Sequence, residues 1–288
     1  MATRQQGAKK SVPAADLFAD APVAPDGIRV GIGGWTFAPW RNNFYPTGLV
    51  QRRELEFASR HVNSIEINGT WYGAQKPATY AKWRDETPAD FIFSAKAAQR
   101  ITMSRSLAKT GGAIDDFLGD LATLGDKLGP VVWQFEKGRK LDADDFAGFL
   151  SLLPKKIDAH RMRHVLDVRD PDFVDADYIA LARDHGVATV FTDSAEHPSF
   201  ADICAEFVYA RLMQSRAEIE TGYPASELQG WAQRARLWGS GGEPDDLPRL
   251  ATPAKSMAKR DVFIYFISAA KERNPAAAMA LLQRLDAR

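Results

Sequence analysis

The sequence holds a single cysteine, Cys204, among 288 residues, so no internal disulfide can form. That scarcity fits a reducing cytoplasm, which is the expected location. There is no excess of either charge: 37 basic and 37 acidic side chains cancel. A strongly basic nucleic-acid binder is therefore not indicated. No run is long and apolar enough to span a bilayer, and no membrane partner is expected. Lys9 and Lys10 are followed by residues rich in Ala, Pro and Asp rather than an apolar stretch, which argues against a secretory signal. The histidines, His61, His160, His164, His185 and His197, show neither H-x-H nor H-E-x-x-H spacing. Gly31, Gly33 and Gly34 do not complete a dinucleotide fingerprint, and Ser194 lacks the G-x-S-x-G elbow. No cofactor and no metal is expected.

What is present is an ordinary globular composition, 45% hydrophobic, in a chain long enough to bury a large core. Residues 1–26 read as a disordered tail whose short apolar piece, Leu17 and Phe18, has some capacity to dock; 27–288 read as a single domain. Within it, β-rich runs recur at Ile28–Ile32, Ser64–Asn68, Phe91–Lys96, Val131–Phe135, His164–Val168, Ala188–Thr192, Phe207–Leu212 and Val262–Ile267. Several are continuously apolar, as when both strand faces are buried. Helical patterns lie between them at Arg52–Arg60, Ala78–Glu86, Phe117–Leu128, Asp142–Leu153, Asp175–His185, Leu228–Trp238 and Pro275–Leu285. Eight strand-like runs alternating with helical patterns imply an α/β fold, simplest as a (β/α)₈ TIM-type barrel, with an open doubly wound sheet as the alternative. The irregular stretch Gly239–Lys259 reads as an exposed excursion or a lid.

The chemistry sits where polarity interrupts these runs. Glu66 and Asn68 are two apart, as are Asp167 and Arg169; Lys96, Gln134, Asp193 and Arg211 fall at or near other strand ends. A period of two puts both members of a pair on one strand face. Charges at the ends of buried strands are costly unless paired. They therefore form either a self-satisfied plug or a pocket at the C-terminal face, where barrel active sites lie. Glu66 and Asp167 are the candidate acid and base. Lys96, Arg169 and Arg211 suit an anion. Glu66, Asp167 and Asp193 would suit a divalent cation, but those three basic side chains oppose it. Trp35 and Tyr72 belong to an aromatic rim that either caps the barrel or stacks on a sugar or base. Cys204 lies outside the polar strand ends and reads as inert.

Several motifs taken together, Val-Gly-Ile-Gly-Gly-Trp-Thr-Phe, Ser-Ile-Glu-Ile-Asn-Gly-Thr-Trp-Tyr, Phe-Ser-Ala-Lys, Val-Val-Trp-Gln-Phe, Val-Leu-Asp-Val-Arg, Thr-Asp-Ser and Tyr-Ala-Arg-Leu, resemble the DUF72, or YecE-like, family. The resemblance implies a TIM-barrel-like fold. It carries over Trp35, Glu66, Asn68, Tyr72, Lys96, Gln134, Arg169, Asp193 and Arg211 as motif positions, and it implies no particular reaction. Asp170 stands where the family usually has His. Met213 and Gln214 replace a frequent His-Gly, and Ile267, Ser268 and Ala269 replace Asn-Asn-Asp. The expected function is binding or transforming a small polar anionic compound, a phosphorylated or acidic sugar, at the C-terminal face. The alternative is a non-catalytic protein binding a nucleotide or single-stranded nucleic acid. Neither turnover nor oligomeric state follows from the sequence.

Overall fold

The computed structural model describes residues 23–138, 140–253 and 258–286. The expected tail falls mostly outside them; of its last residues, Val23 is exposed and Ala24 packs on the core. Eight parallel strands close a barrel: β1 Ile28–Gly33, β2 Ser64–Ile67, β3 Ile92–Lys96, β4 Leu128–Phe135, β5 His164–Val168, β6 Ala188–Thr192, β7 Phe207–Leu212 and β8 Asp261–Phe266. Each strand pairs with its neighbours in sequence, and β1 closes on β8 with Ile28 opposite Val262. Around it lie α1 Glu54–Ala58, α2 Pro77–Glu86, α3 Gln99–Thr102, α4 Gly111–Leu121, α5 Ala143–Leu152, α6 Ala176–His185, α7 Ala225–Gly239 and α8 Asn274–Asp286. This is the TIM-type architecture. Among the described residues no helix is long and apolar enough to cross a membrane.

Local chemistry explains the boundaries. The Asp142 and Asp175 side chains cap α5 and α6, accepting from the amides of Asp145 and Tyr178. α6 stops at Gly186, whose φ of 63° is left-handed. Two expectations need correction. The leucine repeat through Leu128 is not one helix: α4 ends at Leu121, a short 3-10 stretch turns at Gly125, and β4 begins at Leu128. β4 thus starts three residues before Val131 and takes in Gly129 and Pro130, which read as breakers. Glycine is needed there, because a Cβ at 129 would sit 2.8 Å from the Phe93 carbonyl oxygen. A Cβ at Gly31 would meet the Ser64 carbonyl oxygen at 1.9 Å, so β1 and β2 approach only because that position is glycine.

The core has two parts. Outward strand residues such as Val30, Ile65, Phe93, Trp133 and Leu166 pack on the helices. Inside the barrel Val132, Val165, Val190, Tyr209, Phe263 and Tyr265 fill the lower and middle levels. Each fully buried large apolar side chain contributes about 1.5–3 kcal/mol. Between β6 and β7 there is no helix among the described residues. Phe200, Ala201 and Ile203 cover that flank instead, and the Asp202 carboxylate accepts from the amides of Leu250 and Ala251 at 2.8 and 3.0 Å. Leu250 and Ala251, in the stretch after Gly239, are therefore bound to the flank. That stretch leads from α7 into the start of β8, at the N-terminal end of the barrel, so it is no lid over the C-terminal mouth.

Candidate functional site

The strands deliver polar side chains to the C-terminal end with a period of two. Inward positions are Ser64 and Glu66 on β2, Ser94 and Lys96 on β3, Val132 and Gln134 on β4, Val165 and Asp167 on β5, and Tyr209 and Arg211 on β7. Arg211 is the centre. Its Nε donates to Glu66 Oε2 at 2.9 Å, and its Nη1 donates to Asp167 Oδ2 at 2.5 Å and to Gln134 Oε1 at 3.2 Å. Nη2 lies 2.8 Å from the same Glu66 oxygen, at ion-pair distance but off the hydrogen-bond angle. The Tyr209 hydroxyl also donates to Glu66 Oε2.

Arg169 forms the next tier. It donates to Asp167 Oδ2 at 3.2 Å and to Gln134 Oε1 at 3.0 Å, with a longer contact of 3.5 Å to Glu136 Oε2. Gln134 accepts both arginines on its oxygen and gives its amide N–H to Glu136. The exposure of the side chains grades upward: 0% for Glu66, 3% for Arg211, 10% for Asp167 and 17% for Arg169. Burial alone would depress the Arg211 guanidinium, but Glu66 and Asp167 outweigh it and hold its pKa above the ordinary value. The lower tier is thus a desolvated ion cluster in which two carboxylates compensate one guanidinium.

Lys96 differs. It ends β3 with partial exposure, and its Nζ stands 4.0 Å from the centroid of the Trp71 ring. It makes no ion pair with a described carboxylate. Burial, reinforced by the charge of Arg211, pushes its pKa down to about 8. Trp71 is held under it by a 3-10 turn, where Thr70 Oγ1 donates to the Lys96 carbonyl at 2.6 Å. One Glu66 oxygen, Oε1, is buried and has no hydrogen-bond partner among the described residues.

The other expected residues lie apart from this cluster. The Asn68 amide lies against Gly33, where a Cβ would come 2.8 Å from its nitrogen. Tyr72 stands on the rim, 82% exposed. Trp35 turns outward and packs edge-on against Trp83 of α2, 4.8 Å between centroids. Asp193 ties loops together, accepting from the Met213 amide at 2.6 Å and the Tyr223 hydroxyl at 2.8 Å; burial raises its pKa. It also lines a hollow of about 360 Å³ with Trp231 and Arg234. A larger hollow of about 650 Å³ lies at the opposite, N-terminal end, but its Arg163 is paired with Asp261 and its chemistry is separate from the mouth. Among the described residues no group of three or more His, Cys, Asp or Glu side chains is arranged to hold a metal ion.

Sequence reasoning overlooked the hydroxyls one level down. Ser64 Oγ lies 2.7 Å from the Tyr265 hydroxyl, and Ser94 Oγ lies 2.8 Å from that of Tyr209. Each of Ser64, Ser94 and Tyr209 is two residues before a chosen charge, so continuing the period of two would have found them. Glu136, two after Gln134, was legible the same way. His197, on the loop after β6, left no such signal. Burial and the charge of Arg169 lower its pKa.

The profile of the family described as "Protein of unknown function DUF72" matches residues 29–288. The chain belongs to the DUF72 family. It is 28% identical over 149 residues to the UPF0759 protein YecE of Escherichia coli K12, covering 51% of this chain and 50% of that one. It is 31% identical over 75 residues to the UPF0759 protein YunF of Bacillus subtilis 168, 26% of each chain. It thus matches at most about half the length of these curated relatives. Among solved structures, a DUF72 family protein of Thermotoga maritima MSB8 superposes with a TM-score of 0.65 at 17% identity, over 89% of this chain and 96% of that one. One from Enterococcus faecalis V583 gives 0.62 at 14% identity, over 90% and 94%. These two likenesses show the fold, and the DUF72 barrel is that fold.

Proposed function

We propose that this DUF72 protein binds a small polar anionic compound, a phosphorylated or acidic sugar, at the C-terminal mouth of its barrel. The observation that carries the reading is Lys96, a partly exposed cation that pairs with no described carboxylate, at a site whose other buried charges are compensated. Arg169 supplies the second contact. Its guanidinium is the more exposed of the two arginines, and its planar fork matches phosphate or carboxylate. Asn68 and Tyr72 line the rim, and Arg211 with Glu66 forms the floor. Asp167, closer to the mouth than Glu66, is the group for proton transfer, while Glu66 serves as the counter-ion of Arg211. We place the protein in the cytoplasm, consistent with its lone buried thiol.

Titration with inorganic phosphate and sugar phosphates, read by thermal shift and calorimetry, tests this. Arg169→Ala is expected to weaken the anion by ~1.5–3 kcal/mol, the range for hydrogen bonds to charged groups. Arg169→Lys should not restore a bidentate contact. Equal stabilisation of wild type and Arg169→Ala by every anion would defeat the reading.

A further inference from the structure

We propose that the side-chain amine of Lys96 is a nucleophile, and that the compound taken at the mouth carries an aldehyde or ketone that this amine captures as an imine. The inference rests on the anion-binding reading above and narrows its ligand to an anionic carbonyl compound, such as an open-chain sugar phosphate or a 2-oxo acid.

Lysine at an interior strand end normally satisfies its charge with a carboxylate. Here two carboxylates are close at hand, and both are turned to arginine: Glu66 to Arg211, and Asp167 to Arg211 and Arg169. Lys96 instead rests over the Trp71 ring, at the level where the barrel opens. An aromatic face supports an ammonium less strongly than a carboxylate and takes no proton from it. The charged groups acting on Lys96 are Arg211 from β7, Glu66 from β2, and Arg169 and Asp167 from β5. Burial and the arginines favour the neutral amine, the carboxylates oppose them, and the balance leaves a substantial neutral fraction near physiological pH. A desolvated lysine beside other cations is the known way to make this weak nucleophile effective.

The step balances without an added redox partner. The amine lone pair forms the C–N bond as the carbonyl π pair moves to oxygen. One proton passes from nitrogen to that oxygen, giving a carbinolamine. The nitrogen lone pair then expels the hydroxyl, which leaves as water with one proton drawn from solvent at the open mouth. The product is a protonated imine. Its positive charge stays where the ammonium stood, and Glu66 Oε1, buried and unpartnered among the described residues, belongs to a carboxylate whose charge acts on that position.

Two probes separate this proposal from the anion reading. The full chain is treated with limiting formaldehyde, a neutral carbonyl, and cyanoborohydride across neutral to alkaline pH. Methylated lysines are mapped by peptide mass spectrometry. Lys96 is expected to react about tenfold faster than the exposed Lys82 near neutrality, since a lowered pKa raises its neutral fraction more than it costs in nucleophilicity. Its rate should have a midpoint near pH 8. Pyruvate then replaces formaldehyde, with wild type and Arg169→Ala compared. A pyruvate adduct at Lys96 that falls in Arg169→Ala, while methylation persists, supports both readings. Preferential methylation without a preference for pyruvate upholds the amine and defeats the anion reading. Methylation of Lys96 no faster than Lys82 overturns the nucleophile whatever the anions do. The decisive measurement is on wild type, so it does not depend on a Lys96 variant folding; Lys96→Arg and Lys96→Met serve only to confirm the mapped site.

Discussion

Replacing Glu66 with glutamine separates a counter-ion from a proton-transfer group at one position. The substitution keeps size and an acceptor oxygen, so Tyr209 and Arg211 can still donate to it. What it removes is the negative charge 2.8–2.9 Å from a guanidinium on a side chain that is 3% exposed. Breaking a buried ion pair by removing one partner costs about 3–5 kcal/mol. Here Asp167 still contacts Arg211 at 2.5 Å, so part of the compensation survives and about 2–3 kcal/mol is expected. For a chain of 288 residues that lowers the melting temperature by roughly 3–5 °C. The assay is a thermal melt and a urea titration, with phosphate affinity measured on the same samples. The companion Arg211→Met, which leaves buried Glu66 without its guanidinium and Asp167 with Arg169 alone, should cost more. A glutamine variant that melts with wild type while losing turnover of an imine-forming substrate would refute the reasoning and restore Glu66 as acid or base.

Three further outcomes follow from other contacts. His164 accepts from the Trp133 indole N–H at 3.1 Å and donates to the Pro154 carbonyl at 2.9 Å; burial pushes its pKa down to about 4. The unfolded chain therefore binds the proton first on acidification, and His164 contributes stability above its ordinary pKa of 6.5 that is lost between there and about pH 4, ~3 kcal/mol in all. A flat wild-type-minus-His164→Gln stability difference across that window would contradict this. Gly31→Ala forces a Cβ onto the Ser64 backbone and should cost at least about 3 kcal/mol, seen as lost soluble protein or a much lower urea midpoint. Asp202→Asn weakens the anchor for Leu250 and Ala251, so limited proteolysis after α7 should accelerate by roughly an order of magnitude while phosphate affinity stays unchanged.

The strands were readable because parallel barrel strands are apolar on both faces and end where polarity begins. β5, β6 and β7 run from His164, Ala188 and Phe207, as the pattern indicates. β4 extends further towards its start than the apolar run because Gly129 and Pro130 are locally breakers, while the close approach of Phe93 demands glycine at 129. The polar face was legible for the same reason as the strands. Its pairing was not: Arg211 meets Glu66 across 145 residues of sequence, and no local pattern says which carboxylate a guanidinium will take. The direction of Trp35 depends on the packing of α2 behind it, which loop sequence does not encode.

One strand carries more of the interior than its neighbours. From β7, Tyr209 reaches Ser94 and Glu66, and Arg211 reaches Glu66, Gln134 and Asp167, so spokes from a single element brace the second, third, fourth and fifth staves of the barrel. During synthesis those four staves leave the ribosome before the seventh. Glu66 then has neither its guanidinium nor its phenol until residue 211 has emerged, and a buried carboxylate without them is strongly disfavoured. Burial of this polar cluster therefore waits for the seventh stave, and the barrel closes when the eighth pairs with the first. Ribosome-stalled chains ending before Phe207 should remain open to protease through the first half of the barrel, and chains extended past the eighth stave should not.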